Sequence, residues 1–324
     1  MGTPYRKLSE DFIVPPFSVF DTKTELWQSR KRQLRAIIGS SSETREGTLY
    51  DSMAMRMPDI YSRTKKDREN KGLEFDTYIL QLPVEKLNQQ KAKDAYSGVS
   101  SFDPVLAEVL IHWFTPFKGA RIFDCFAGGI TKGVVANLCG HQFIGLEIRK
   151  DQVETNRRKI KDLGMSAEYV HTDARRVSEV LGVATQDMLL TCPPYYNLEV
   201  YSNLPEDASN QPTYESYLCI LRDSFRESLK SLKKNRFCVV IISDVRDELG
   251  AYRNLPGDVI DIFRNEGCFL WNEFILLNND ASAKLRARRY MNTRKAVRMH
   301  QKVLVFYNGN PRNIAKTFPK ISNQ

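Results

Sequence analysis

Short apolar runs alternate with segments of helical pattern through the middle of the chain, and this alternation limits the possible folds more than any other feature. The runs are typical of strands: one begins at Arg121, and others lie at 142–147, 167–171, 187–190 and 237–242. Helical patterns separate them at 132–138, 151–163 and 214–232. Parallel strands need a crossover connection, usually a helix, so this order predicts a mostly parallel, doubly wound α/β sheet. Two further strands are predicted at 269–277 and 303–307, after a helix near 258–265.

The strand at 187–190 runs into Thr191-Cys192-Pro193-Pro194-Tyr195-Tyr196. Proline lacks an amide proton and has a fixed φ, so neither proline can continue the ladder of a sheet. The pattern predicts a rigid corner at a sheet edge, with free carbonyl oxygens beside a flat aromatic ring. Such a corner suits a planar ligand that carries an exocyclic amino group. An ordinary turn with a packed aromatic residue is the alternative.

A glycine-containing loop follows the strand that begins at Arg121 and reads Asp124-Cys125-Phe126-Ala127-Gly128-Gly129-Ile130-Thr131. Small residues at this point let a ligand approach backbone N–H groups at the start of a helix. About twenty positions after the glycines, Glu147 ends the next strand, where an acidic side chain suits a ribose diol. A Gly-x-Gly-x-x-Gly pattern is absent, which favours a nucleoside ligand without a pyrophosphate. A tight turn and a solvated strand end are the simpler interpretations.

Over roughly residues 96–312 these motifs resemble the S-adenosylmethionine-dependent DNA amino-methyltransferases, and phage and prophage modification methylases in particular. The loop at 124–131 is similar to that family's Asp-Pro-Phe-Ala-Gly-Ser-Gly-Thr cofactor motif. The run Thr191 to Tyr195 is similar to its Asp/Asn/Ser-Pro-Pro-Tyr catalytic motif. The resemblance implies a Rossmann-like methyltransferase fold in which the last two strands form an antiparallel edge hairpin.

The resemblance also implies roles for individual residues. The cofactor-binding set is Phe102, Asp103, Asp124, Phe126, Ala127, Gly128, Gly129, Glu147, Asp173 and Thr191. The catalytic set is Cys192, Pro193, Pro194 and Tyr195. For Asp173, which would accept a hydrogen bond from the adenine of the cofactor, a plain turn aspartate is the competing interpretation.

Two positions depart from the family pattern. Ile130 stands where the family has its second glycine, so the backbone is expected to approach the cofactor differently there. Cys192 stands where the family has Asp, Asn or Ser, and a thiol is a weak hydrogen-bond acceptor. The carbonyl oxygen of Pro193 is therefore expected to carry more of the contact with the target amine. Adenine N6 and cytosine N4 both remain open as targets, with adenine N6 favoured.

The expected reaction is methyl transfer from S-adenosylmethionine to the exocyclic amine of a base that has left the duplex. One rival makes Cys192 the nucleophile of a C5-cytosine enzyme, but those enzymes place cysteine after proline, not before it. A second rival is methylation of RNA, and a third is a non-catalytic DNA-binding protein on a methyltransferase fold.

Between the last two predicted strands, residues 281–302 contain eight lysines and arginines and no acidic residue. A long insertion in a hairpin is usually functional or disordered, and its cations would neutralise phosphates. We predict nucleic-acid contacts from Tyr196, Arg286, Arg288, Arg289, Arg294, Lys295 and Arg298. Tyr290, Asn292 and Gln301 are candidates for contacts with base edges.

The remaining expectations concern organisation and partners. The predicted parts are an accessory, partly flexible segment at 1–95, a methyltransferase domain at 96–312 with a basic insertion at 278–302, and a tail at 313–324. A basic helix is predicted from Thr24 to Ile38, with its cations mainly on a solvated face. The net charge of +9 favours a polyanionic partner such as DNA. Six scattered cysteines and the lack of a long apolar run predict a cytoplasmic protein without disulfides, metal or membrane partner.

Overall fold

The protein was analysed as a computed structural model that describes residues 17–39, 70–72, 102–196, 201–202, 204–278, 287 and 290–319. The strands are β1 (Val19–Asp21), β2 (Arg121–Asp124), β3 (Gln142–Glu147), β4 (Glu168–His171), β5 (Gln186–Thr191), β6 (Leu232–Ile242), β7 (Phe269–Leu277) and β8 (His300–Asn308). The helices are α1 (Glu25–Ile38), α2 (Pro104–Phe114), α3 (Thr131–Leu138), α4 (Lys150–Asp162), α5 (Val177–Leu181), α6 (Tyr214–Ser231), α7 (Leu255–Asn265) and α8 (Ile314–Thr317).

The strands form one sheet in the order β4-β3-β2-β5-β6-β8-β7-β1. Each neighbouring pair from β4 to β6 is parallel, and β8 lies antiparallel between β6 and β7. The predicted α/β fold class, with its mostly parallel sheet and an antiparallel pair of final strands, is confirmed. That pair does not form the outer edge, however, because β1 adds in parallel beyond β7.

Side chains alternate along each strand between two hydrophobic cores, as a sheet covered on both faces requires. Met188 and Leu190 of β5 face the core beneath α1 to α4. Leu189 faces the core beneath α5 to α7. Most buried strand positions are apolar, which is why these runs are conspicuous in the sequence, and the buried polar residues Asp124, Gln186, Asp187 and Thr191 lie at the ends of β2 and β5.

Residues before the predicted domain belong to this sheet and its helical layer. Thr24 caps α1, and Gly39 ends it at a φ of 72°. Arg30 of α1 is 1% exposed and forms a bidentate ion pair with Glu108 of α2, with Nε–Oε2 and Nη2–Oε1 distances of 2.8 and 2.5 Å. The prediction that the cations of this helix lie on a solvated face is therefore wrong for Arg30, although Arg32 is exposed.

The order of the strands reverses between β2 and β5. From β2 the chain crosses outward through α3 to β3 and β4, whereas β5 and β6 lie on the other side of β2. In open α/β sheets, ligands bind outside the carboxyl ends of the strands at such a switch point. The glycine loop after β2 and the Pro-Pro-Tyr corner after β5 thus lie side by side at the edge where a ligand is expected.

Two of the predicted parts of the chain, the amino-terminal segment and the tail, are described only in part. The boundary near residue 95 lies outside the described residues, so the division of the chain stays a prediction. In the predicted tail, Phe318 packs against Phe237 of β6, with ring centroids 4.9 Å apart.

Among the described residues, no helix combines the length and apolar character needed to cross a membrane.

Candidate active site

The Pro-Pro-Tyr corner leaves the sheet directly after β5. Thr191 is fully buried, and its Oγ1 accepts a hydrogen bond from Cys125 Sγ of the glycine loop at 3.8 Å. Pro193 is buried, and no donor among the described residues contacts its carbonyl oxygen. Free carbonyl oxygens were predicted for both prolines, but only that of Pro193 is without a donor in the described part of the chain, because the Pro194 carbonyl accepts from the Tyr217 hydroxyl at 2.9 Å.

Tyr195 is held through its hydroxyl group. Gln301 Nε2 of β8 donates a hydrogen bond to that oxygen at 2.7 Å, and the hydroxyl also hydrogen-bonds with the side chain of Cys192. Burial, with the nearby Cys192 thiol, raises the pKa of Tyr195 well above its usual value, so the hydroxyl stays protonated. Gln301 was predicted as a candidate for contacts with base edges. In the structure its side chain holds the Tyr195 hydroxyl and so fixes the position of the Tyr195 ring.

The second tyrosine of the corner packs among other rings. Tyr196 lies with ring centroids 5.5 Å from Tyr214 and 5.6 Å from Tyr217 of α6. The hydroxyl of Tyr217 donates a hydrogen bond to the carbonyl oxygen of Pro194 at 2.9 Å. The Arg253 guanidinium lies over the Tyr196 ring at 5.4 Å. These neighbours give the Tyr196 ring a role in packing. Its predicted contact with nucleic acid stays a prediction.

The glycine loop is shaped by acidic side chains at the strand ends. Asp124 Oδ1 accepts from the Phe126 N–H at 2.9 Å, which turns the chain after β2. Gly128 has a φ of 57°, a left-handed conformation that glycine adopts without strain. Its N–H donates to Glu147 Oε2 at 2.9 Å, and its carbonyl oxygen accepts from Asn156 Nδ2 at 2.7 Å. Glu147 and the glycines, predicted to share one site, are thus in direct contact.

A buried lysine lies within this site and was not predicted. Lys132 of α3 is 3% exposed, and its Nζ lies 2.5 Å from Asp124 Oδ2. The same ammonium lies 4.6 Å from the centre of the Phe102 ring, a cation–π geometry. One sequence feature could have indicated this buried position: Lys132 is the only charged residue from 125 to 139. Asp124 is therefore neutralised within the protein, although it was predicted as a cofactor ligand.

Two other predicted cofactor residues are engaged with the protein's own groups. Asp103 caps α2 through Oδ1, while its Oδ2 accepts from Lys31 Nζ at 2.6 Å and Trp27 Nε1 at 3.3 Å. Asp173 accepts from the Arg175 N–H and forms an ion pair with its guanidinium. That ion pair raises the pKa of Arg175 above its usual value. The plain-turn interpretation of Asp173 has direct geometric support, and its ligand role stays a prediction.

The groups at this edge fit a nucleoside-type cofactor such as S-adenosylmethionine. Glu147, which accepts from the Gly128 N–H, is partly exposed at the tip of β3, where a ribose diol can reach a carboxylate. Ile130 is the N-cap residue of α3 and makes no side-chain cap hydrogen bond, and the N–H groups of Gly129 and Ile130 have no partner among the described residues. The rings of Phe102 and Phe126 are half-buried at the same edge. Ile130 itself is buried in the core, so this departure from the family pattern contributes to packing.

The basic insertion is described only at its end. Arg286, Arg288 and Arg289 lie outside the described residues. Arg294 is exposed, whereas Arg298 lies 3.7 Å from Asp244 and 4.6 Å from the centre of the Tyr252 ring. Arg298 thus lies next to the loop that follows β6, at the same sheet edge as the corner. No group of three or more potential metal ligands occurs in the described part of the chain.

Comparisons with known proteins give only distant likenesses. No protein-family model matches the sequence, and no curated protein matches it. TrmN from Thermus thermophilus aligns at 16% identity over 65% of this chain and 51% of its own, with a TM-score of 0.46. The cyclase SpnF aligns at 14% identity over 66% of this chain and 85% of its own, with a TM-score of 0.45. A SAM-dependent methyltransferase from Methanosarcina mazei aligns at 11% identity over 61% of this chain and 95% of its own, with a TM-score of 0.42. The chain thus spans about half the length of TrmN.

Close packing behind the loop leads to a first prediction. A Cβ on Gly145 of β3 would lie 2.8 Å from the Cβ of Ala127 and 2.9 Å from the Tyr169 ring. We expect Gly145→Ala to lower the free energy of unfolding by about 1–3 kcal/mol, because the extra methyl overpacks the core. It should also weaken cofactor binding, because Ala127 belongs to the loop. Denaturant unfolding and calorimetry measure the two effects, and unchanged values would show that Ala127 and Tyr169 separate without cost.

Proposed function

We propose that this protein is an S-adenosylmethionine-dependent DNA methyltransferase that modifies the exocyclic amine of a base, adenine N6 in preference to cytosine N4. The observation that carries the proposal is the corner after β5. There the Pro193 carbonyl oxygen has no donor among the described residues, while the Pro194 carbonyl and the Tyr195 hydroxyl are both held by neighbouring side chains. The corner lies beside the glycine loop at the switch point of the sheet.

The roles of the residues follow from these contacts. S-adenosylmethionine supplies a methyl group bound to a sulfonium. The exocyclic amine of a base is a weak nucleophile, because its lone pair is delocalised into the ring. The Pro193 carbonyl accepts an N–H of that amine and raises the electron density on nitrogen as positive charge develops. Gln301 and Tyr217 fix the corner from two sides, so the acceptor needs no reorganisation during the reaction.

Tyr195 stacks on the flipped base in this proposal. Its hydroxyl is anchored by Gln301, which leaves the ring as the part of the side chain available for stacking. Cys192 contributes its thiol to the same anchor rather than acting as a nucleophile. The exposed Arg294 and the charge of the basic insertion support a phosphate backbone as the partner.

The decisive experiment is methylation of mixed-sequence duplex DNA with labelled S-adenosylmethionine, followed by digestion to nucleosides and mass spectrometry. We expect N6-methyladenine, or else N4-methylcytosine, because the corner contacts an amine. Cys192→Ser is the matched variant: it installs a residue that the similar family uses, so it should retain activity.

Other products would contradict the proposal in distinct ways. A 5-methylcytosine product that disappears in Cys192→Ser would make this cysteine a nucleophile. Methylation of transfer RNA in preference to duplex DNA in a competition assay would assign an RNA substrate. Failure to bind S-adenosylmethionine by calorimetry would indicate a non-catalytic protein on this fold.

A further inference from the structure

The loop after β6 folds back on itself as a two-stranded finger, residues 245–253. Arg246 and Tyr252 pair as an antiparallel bridge, and the Arg253 N–H donates to the Val245 carbonyl at 3.0 Å. Asp244 closes the base of the finger, since its Oδ1 accepts from the N–H groups of Val245 and Leu255. The finger begins beyond the carboxyl end of β6, the strand next to β5, so it lies at the same sheet edge as the catalytic corner.

Hydrogen bonds within the finger fix the shape of its tip. Asp247 accepts from the Ala251 N–H through Oδ1 at 2.8 Å, and its own N–H donates to the Ala251 carbonyl at 2.9 Å. Arg246 Nη1 donates to the Gly250 carbonyl at 2.7 Å. Gly250 has a φ of 86°, which allows the tight turn. A tip held in this way loses little conformational entropy when it contacts a partner.

An apolar side chain stands at this tip. Leu249 is 90% exposed, more than any other large apolar side chain in the described part of the chain. This leucine lies on a turn that is held by the hydrogen bonds of Arg246 and Asp247, so its exposure belongs to a defined conformation. The neighbouring Glu248 carboxylate is neutralised by Arg253, whose Nη2 lies 3.0 Å from both of its oxygens.

Cationic side chains lie on the finger and next to it. The guanidinium groups of Arg246 and Arg298 lie 3.8 and 4.6 Å from the centre of the Tyr252 ring. Lys295 packs its ammonium directly on Gly250, where a Cβ would lie 1.7 Å from Nζ. Two of these cations are paired, Arg298 with Asp244 and Arg253 with Glu248, whereas no carboxylate of the described residues forms an ion pair with Arg246 or Lys295. A duplex presents phosphates outside and stacked bases within, so these last two cations and the apolar tip suit such a partner.

We propose that the finger inserts Leu249 into duplex DNA at the step from which the target base leaves. This inference rests on the proposed function. A base that leaves the stack opens a gap that closes unless something fills it, and apolar wedges hold such steps open in other DNA-bending proteins. The Arg253 guanidinium lies 5.4 Å from the centre of the Tyr196 ring, so the base of the finger is in contact with the catalytic corner.

The test compares Leu249→Ala with wild type on two duplexes, one with the target base paired and one with it opposite an abasic site. We expect kcat/KM on the paired duplex to fall about tenfold, and to change little on the other, where flipping is already cheap. Leu249→Phe keeps an apolar wedge and should restore most of the rate. Val183→Ala is the matched control, because Val183 is 71% exposed and precedes β5 at the opposite sheet edge.

Fluorescence of 2-aminopurine at the target position gives a second readout, since it rises when the base unstacks. We expect a smaller rise with Leu249→Ala than with wild type. Equal rates of wild type and Leu249→Ala on the paired duplex, or equal losses on both duplexes, would overturn the wedge and leave the methyltransferase proposal intact. Absence of any DNA product from wild type would instead remove the proposed function and the wedge together.

Discussion

Replacement of Lys132 by methionine is expected to lower the free energy of unfolding by about 3–5 kcal/mol. The variant leaves the carboxylate of Asp124, which is 0% exposed, without its cationic partner. Each of the two charges loses its hydration on folding, and their mutual attraction is the main compensation. Denaturant unfolding at neutral pH measures the change.

Two further variants separate the ion pair from loss of packing. The double variant Lys132→Met with Asp124→Asn removes both charges and should recover a large part of the lost stability. Lys150→Met is the surface control, because Lys150 is 75% exposed and lies 3.9 Å from Glu154. Its effect should stay within about 0.5 kcal/mol. If Lys132→Met were as stable as Lys150→Met, the buried pair would contribute nothing.

Removal of the Tyr195 ring is the second change with a large expected effect. On the proposed function, Tyr195→Ala should lower kcat/KM for DNA about 10- to 100-fold, because stacking of a base on an aromatic ring contributes about 1–3 kcal/mol. Calorimetric affinity for S-adenosylmethionine should stay close to that of wild type, because Glu147 and the glycine loop, which hold the cofactor in this proposal, lie at the ends of β2 and β3. Steady-state kinetics and calorimetry on one preparation measure both quantities.

The conservative variant of the same residue separates stacking from anchoring. Tyr195→Phe keeps the ring and loses the hydrogen bond to Gln301, so it should reduce activity far less than Tyr195→Ala. Gln301→Ala removes the same bond from the other side, and the two single variants should not be additive. Equal losses of catalysis and cofactor affinity in Tyr195→Ala would show that the ring does not act on the base.

Much of the fold could be predicted because the strands are buried on both faces. The runs 187–190 and 237–242 lie within β5 and β6, where every residue of the run is buried, since a strand covered by two helical layers is apolar at nearly every core position. The run 269–277 also matches β7, although Phe269 and Trp271 of that strand are exposed. The glycine loop and Glu147 were predicted to belong to one ligand site, and they are in contact because the parallel strands β2 and β3 end at the same edge of the sheet. These predictions needed only local pattern and chain order.

The contacts that were not predicted either join residues far apart in the sequence or bury a residue type that is usually exposed. Arg30 pairs with Glu108, and nothing near either residue indicates the other. Lysine is rarely buried, so Lys132 in the glycine-loop helix was assigned no role. The acids Asp103 and Asp173 were predicted from position to bind a ligand, but pattern alone cannot show that each already has a cationic partner. Which cation pairs with which acid is decided only when the folded chain brings the two side chains together.

The pairing of β1 with β7 is a contact between residues far apart in the chain. Thr22 Oγ1 donates a hydrogen bond to the Leu277 carbonyl at 2.6 Å, across a separation of 255 residues. During translation β1 is therefore made long before its partner, and it has no strand to pair with until β7 and β8 have followed. Once β1 is in place, it covers an edge of β7 at which another copy of the chain could otherwise add a strand.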